Sequence, residues 1–205
     1  MVIEQTKKDV LIEFRQVSIL EAACRVFARF GFDRTTVDAI AAEAKIAKGT
    51  IYLYYKSKAD IYHAAVTHSL KGLYAATEQA LSADRSCREK IEQFIRLRFD
   101  FVSAKHDFYR IYLNEFADVR SRPSAVQEHM REMAGRQMEL LMNVLEEAIS
   151  NGEIRPIPAA ATARAIYDVT RGLLQSRLQG WVDTDQATDV KTVLDLLWNG
   201  LSPIK

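Results

Sequence analysis

The run RTTVDAIAAEAKIAKGTIYLYYKSK, Arg34 to Lys58, holds two short helical patterns with a tight break between them. Val37, Ile40, Ala41 and Ala44 recur at i, i+3, i+4 and i+7, which places them on one face of a two-turn helix. Thr36 stands just ahead, where a hydroxyl can accept a free amide of the first turn. The pattern breaks over Ala44-Lys45-Ile46-Ala47. A second helix is expected from Lys48 to about Tyr55, with Ile46, Ile51 and Tyr55 turned inward. Two such helices joined by a few residues make a helix-turn-helix. The unit is too small to bury its own apolar face, so neighbouring helices must cover it.

Those helices are legible on both sides. From about Lys8 to Phe30, residues Ile19, Ala23, Val26, Phe27 and Phe30 fall at helical spacing, and Gly31 can take the left-handed conformation that ends a helix. Ser57 can cap a long helix reaching about Leu81, marked by Ile61, Ala65, Leu70 and Leu73. Further helical patterns run over about 86–104, 108–116, 123–150, 158–180 and 185–199, with Asn151-Gly152, Pro156 and Pro158 as stops. Only 8 Gly and 4 Pro interrupt the chain, which favours an all-α protein over any β architecture. The expectation is about nine helices. Residues 1–60 form an N-terminal three-helix helix-turn-helix domain, and residues 61–205 form a larger helical domain.

Composition sets bounds. Apolar residues at 48% suffice for a core, and a net charge of +1 is not that of a general polyanion binder. Residues 1–60 hold ten Lys and Arg against eight Asp and Glu, a slight basic bias. There is no apolar run long enough to span a membrane and no cleavable leader pattern, so a cytoplasmic protein without membrane contact is expected. Cys24 and Cys87 read as reduced packing residues.

The outward side of the second short helix carries Lys48, Gly49, Thr50, Tyr52 and Tyr54. A recognition helix offers its first turn to base edges, and small residues there permit close approach. Lys48 can donate to guanine acceptors, and Thr50 can meet a base or a thymine methyl. Tyr52, Tyr54, Lys58 and the Thr36 hydroxyl suit phosphate oxygens. The competing reading makes the tyrosines core aromatics and the lysines a solvated face.

Thr35-Thr36-Val37, Ile40-Ala41, Lys48-Gly49-Thr50-Ile51-Tyr52, Tyr54-Tyr55 and Lys58 together resemble the signature of TetR/AcrR-type transcriptional regulators over about residues 14–62. The resemblance implies a homodimer, a palindromic double-stranded DNA operator and a ligand-responsive C-terminal domain. It carries DNA contact onto Thr36, Lys48, Gly49, Thr50, Tyr52, Tyr54 and Lys58. Lys45 departs from the glycine usual in the turn, Ala47 from the usual Ser cap and Tyr55 from the usual Phe. The first two departures each cost about 1 kcal/mol.

The C-terminal part carries an aromatic and methionine stripe suited either to plain core or to an adaptable apolar pocket. The pocket candidates are Phe94, Leu97, Arg98, Phe101, Tyr109, Tyr112, Phe116, Met138 and Tyr167, with Arg98, His106, Asn114 and Tyr167 as the polar groups. Ile166, Val169, Leu173, Val193 and Leu197 form a candidate dimer face on the last two helices, open to the alternative of burial within one subunit. No GxGxxG or GxxxxGK[ST] occurs, and His63 and His68 are not at zinc-helix spacing, so neither enzyme activity, cofactor nor metal is expected. The sequence therefore reads as a DNA-binding regulator, a repressor released by an apolar small-molecule effector. The alternatives are a helical protein–protein adaptor or a ligand-independent regulator of the same fold.

Overall fold

A computed structural model of the chain describes residues 2–117 and 125–201, with side chains described over 9–111 and 125–199. Among the described residues it is all-helical: α1 (Val2–Arg34), α2 (Val37–Glu43), α3 (Lys48–Tyr52), α4 (Lys58–Ser82), α5 (Cys87–Ala104), α6 (His106–Ala117), α7 (Ala125–Ser150), α8 (Ala159–Leu178) and α9 (Gln186–Leu201). The chain divides into two compact units, one of residues 1–70 and 107–127, the other of 71–106 and 128–205.

In the first unit, Ile19, Ala23, Val26 and Phe27 of α1 are buried with Ile40, Ala41 and Ile51 of the short helices and Ile61 and Ala65 of α4. Phe30 is instead 42% exposed, although it continues the apolar spacing. Gly31, next in the chain, adopts φ +74°, and this kink ends the regular part of α1. At its other end α1 starts well before Lys8. Within the expected helix Val10, Leu11 and Phe14 are exposed, so its first turns carry no inward stripe. α3 stops at Tyr52 rather than Tyr55, because Tyr54 N–H closes a tight turn onto the Ile51 carbonyl at 2.9 Å.

In the second unit, α5 packs against α8 and α9, and these two pack on each other. Ser86 opens α5 with a reciprocal cap: its hydroxyl accepts from the Glu89 amide while the Glu89 carboxylate accepts from the Ser86 amide. Arg177 of α8 reaches the Asp189 carboxylate of α9 at 2.6 Å. Ser103 and Asp100 of α5 both hydrogen-bond Gln186 at the start of α9. Cys24 and Cys87 are buried, one in each unit. Burial pushes the Cys87 thiol up to about 11. Among the described residues no helix is long and apolar enough to cross a membrane, and no group of three or more His, Cys, Asp or Glu residues could hold a metal.

Candidate functional site

Three helices position the exposed turn around Lys48. Thr36 caps α2, its oxygen accepting from the Ala39 amide at 3.1 Å. Thr36 is exposed, and while its oxygen caps the helix its hydroxyl can still donate outward. Thr35, by contrast, is buried and donates to the Gly31 carbonyl at 2.7 Å, joining α2 to the end of α1. A second tie comes from Glu43 of α2, whose carboxylate takes Arg25 of α1 at 2.6 Å with Arg29 at 4.0 Å. That hydrogen bond to Arg25 holds the Glu43 carboxyl below the usual carboxylate range.

The turn between α2 and α3 has the two weak points its residues suggest. Lys45 adopts φ +55°, and Ala47 stands at the N-cap of α3 with no side-chain hydrogen bond. Tyr55 is half-buried, and burial raises its phenol above the usual tyrosine range.

On α3 itself, Lys48, Gly49 and Tyr52 are exposed, while Thr50 and, just beyond, Tyr54 are half-buried. A Cβ built on Gly49 would meet nothing within 4 Å. Among the described residues nothing therefore requires a glycine there, although glycine disfavours a helix by about 1 kcal/mol relative to alanine. Lys48 is engaged: its ammonium sits 2.8 Å from the Asp38 carboxylate in the first turn of α2. The Asp38 hydrogen bond also raises the lysine above its ordinary range. Leu53, which the sequence reading passed over, is 80% exposed at the end of α3. Its signal is an apolar residue that falls off the face shared by Ile51 and Tyr55.

Lys58 departs most from its expected post. Its ammonium donates to the carbonyls of Phe32 at 2.7 Å, Asp33 at 3.1 Å and Thr35 at 3.0 Å, and it lies 4.5 Å from the centre of the Phe32 ring. An ammonium has three hydrogens, and these carbonyls take all three. Lys58 thus fastens α4 to the end of α1, its ammonium turned to backbone carbonyls.

The second unit brings part of the pocket set together. Phe94, Arg98 and Tyr167 are buried, and the Arg98 guanidinium lies 5.4 Å from the Phe94 ring and 4.3 Å from the Tyr167 ring. Two residues missed in the sequence complete the cluster. Arg98 Nη1 donates to Gln137 Oε1 at 3.1 Å, and Gln137 Nε2 donates to Thr77 Oγ1 at 2.5 Å. Thr77 in turn points its hydroxyl at the carbonyls of Leu73 and Tyr74 within α4. Their only sequence signal was polarity at positions that helical spacing turns inward. Leu97, Phe101 and Met138 are half-buried and His106 is exposed. Tyr109 is buried in the first unit. The side chains of Tyr112, Asn114 and Phe116 lie outside the described residues.

The candidate dimer face also changes. Ile166 and Val193 are 0% and 1% exposed, so they belong to the core of their own unit, where α5, α8 and α9 pack together. Val169, Leu173 and Leu197 retain surface, joined by Leu196 at 68% exposure.

Residues 19–65 match the family model of the bacterial regulatory proteins, tetR family. Over 191 residues the chain is 26% identical to a fatty acid metabolism regulator protein of Bacillus subtilis, covering 91% of this chain and 95% of the relative. It is 28% identical to the HTH-type transcriptional repressor KstR2 of Mycolicibacterium smegmatis, covering 76% of each. The fold is shared with the crystal structure of FadR from Bacillus subtilis in complex with stearoyl-CoA, with a TM-score of 0.75 at 23% identity over 90% of this chain and 98% of that one.

Proposed function

We propose that this chain, which belongs to the TetR/AcrR family of transcriptional regulators, is a homodimeric repressor that leaves a palindromic operator when a long-chain acyl thioester binds it. The observation that carries the DNA-reading half is the exposed first turn of α3, where no described residue would meet a Cβ at Gly49. A base edge can approach such a turn closely. In this reading residues 1–60 read DNA from the cytoplasm and residues 61–205 bind the effector and pair the protomers.

Lys48, Gly49 and Thr50 face the bases. Thr36, Tyr52 and Tyr54 hold phosphates, and Leu53 packs on sugar or a thymine methyl. Lys58 works from behind, fixing the angle at which α1 and α2 meet α4. Val169, Leu173, Leu196 and Leu197 offer the apolar surface for an isologous contact, whose two-fold axis suits a palindrome.

The effector class is supported by the stearoyl-CoA complex of the structural neighbour together with the buried cluster of Phe94, Tyr167 and Arg98. Two aromatic faces and one cation suit a ligand with an apolar body and a polar end. A ligand shifts the DNA-competent population only by its differential affinity for the two states, and a 100-fold preference is about 2.7 kcal/mol.

The test is selection of duplexes from a randomised library, followed by gel shift with stearoyl-CoA or free coenzyme A. Recovery of a palindrome released by stearoyl-CoA and not by coenzyme A is expected. Selected duplexes held no tighter than random ones would overturn the reading.

A further inference from the structure

An acidic side chain is out of place on a surface that must approach phosphates, yet Asp38 stands on this one, 67% exposed and 2.8 Å from the Lys48 ammonium. A bland role is available: a carboxylate in the first turn of α2 complements the helix dipole. The dipole does not explain why Asp38 pairs with the one lysine at the start of α3, ten residues on and across the turn. Resting on the DNA-reading function above, we propose that Asp38 is a specificity-determining residue that holds Lys48 for a base edge and keeps it from non-specific phosphates.

The physical argument has two parts. Non-specific binding is almost wholly a matter of cations meeting phosphates, and each cation so used releases counterions. A lysine already neutralised at 2.8 Å contributes little to that attraction, while Asp38 itself repels the backbone. A base edge, by contrast, offers directed acceptors and no net charge. The paired lysine keeps hydrogens free for it, because an ammonium has three and Asp38 takes one. The ion pair thus penalises the binding mode that reads charge and spares the mode that reads bases. Since both partners are largely exposed, the effect is bounded at about fivefold in an equilibrium constant.

The experiment compares Asp38→Asn with wild type on two duplexes of equal length, one selected for tight binding and one random, over a range of salt. The random duplex should be bound about fivefold more tightly by the variant, with the log–log salt slope steeper by about one. The selected duplex should gain less, so the preference ratio falls. Asp38→Glu, which keeps the charge, should restore both the ratio and the slope. In a Lys48→Met background Asp38→Asn should no longer move the ratio. A merely structural Asp38 would instead lower the melting temperature and weaken both duplexes by the same factor, and that result overturns the proposal. Equal tightening on both duplexes also overturns it. If wild type shows no preference for any selected duplex, the DNA-reading function fails together with the inference built on it.

Discussion

The ammonium of Lys58 donates to the carbonyl of Phe32 at 2.7 Å and lies 4.5 Å from the centre of the same residue's ring. The first residue of α4 therefore holds both the backbone and the side chain of a residue that closes α1. Lys58→Met keeps the aliphatic stem and removes the donors. It should lower stability by about 1–3 kcal/mol, read as a fall in melting temperature. DNA affinity should fall too, because the helix-turn-helix loses its backing, but the salt slope should stay at the wild-type value. A slope shallower by about one would instead return Lys58 to the phosphates. Lys58→Arg should rescue poorly, since a planar guanidinium cannot aim its donors at three converging carbonyls.

Gly49 separates fold from function. With open space around its Cβ position, Gly49→Ala should stabilise the protein by about 0.5–1 kcal/mol. The added methyl should at the same time weaken binding to a selected duplex, by about 1–3 kcal/mol, the scale of one lost base contact. Melting curves and gel shifts on the same preparation give both signs. A variant that gains stability and loses no affinity would remove α3's first turn from the DNA interface.

What the sequence disclosed, and what it did not, follows from the range of the forces involved. Capping chemistry acts over three or four residues, so the Thr36 cap is readable from the residues alone. The left-handed Lys45 and the bare N-cap at Ala47 are legible only as departures from the pattern the stretch resembles. Apolar spacing located the helices but could not say which neighbour a stripe faces. For that reason Ile166 and Val193 read as a dimer surface and are core. Contacts between residues far apart in the chain left almost no trace. The Lys58 hydrogen bond to Phe32 spans 26 residues and the Gln137 bond to Thr77 spans 60. A lysine or a glutamine in a helical pattern looks the same whether it is solvated or buried against a distant partner.

The turn between α2 and α3 can be tightened without touching an exposed contact residue. Lys45→Gly relieves a left-handed lysine, worth about 1 kcal/mol. Ala47→Ser supplies the cap that α3 lacks, worth about 1 kcal/mol. Each should raise the melting temperature. The two sites are close enough to couple, so the double variant need not equal the sum. If neither change raises the melting temperature, the turn is not a weak point of the fold.

Acid should loosen both units. The carboxyls of Glu43, Glu89 and Asp185 are all held below their ordinary values: Glu43 by Arg25, Glu89 by Ser86 and Asp185 by the Thr188 amide and hydroxyl. A carboxyl depressed in the folded state contributes stability that is whole above its unfolded value and is lost as pH falls through the folded one. Stability should therefore be level above about pH 4.5 on this account and decline below it. Glu43→Gln should flatten part of that decline. Denaturant unfolding between pH 3 and 7 checks it, within roughly the range where native carboxylates titrate. A stability that rises on acidification would contradict the assignment.

The Thr77–Gln137–Arg98 chain joins α4, α7 and α5 inside the second unit, and α4 is the helix whose first residue fastens α1. Thr77→Val keeps the shape of the side chain and removes the oxygen that accepts from Gln137. The stranded amide should cost about 1–3 kcal/mol and free Gln137 to turn, so that Arg98 loses its fixed orientation between the Phe94 and Tyr167 rings. If that guanidinium meets the polar end of the effector, the stearoyl-CoA concentration that releases half the bound DNA should rise about tenfold, equivalent to about 1.4 kcal/mol. Arg98→Met should raise it further while preserving the apolar volume. Binding of the effector can be followed apart from DNA by calorimetry. Thr77→Val with unchanged effector affinity and unchanged release would reduce the chain to a structural tie between helices.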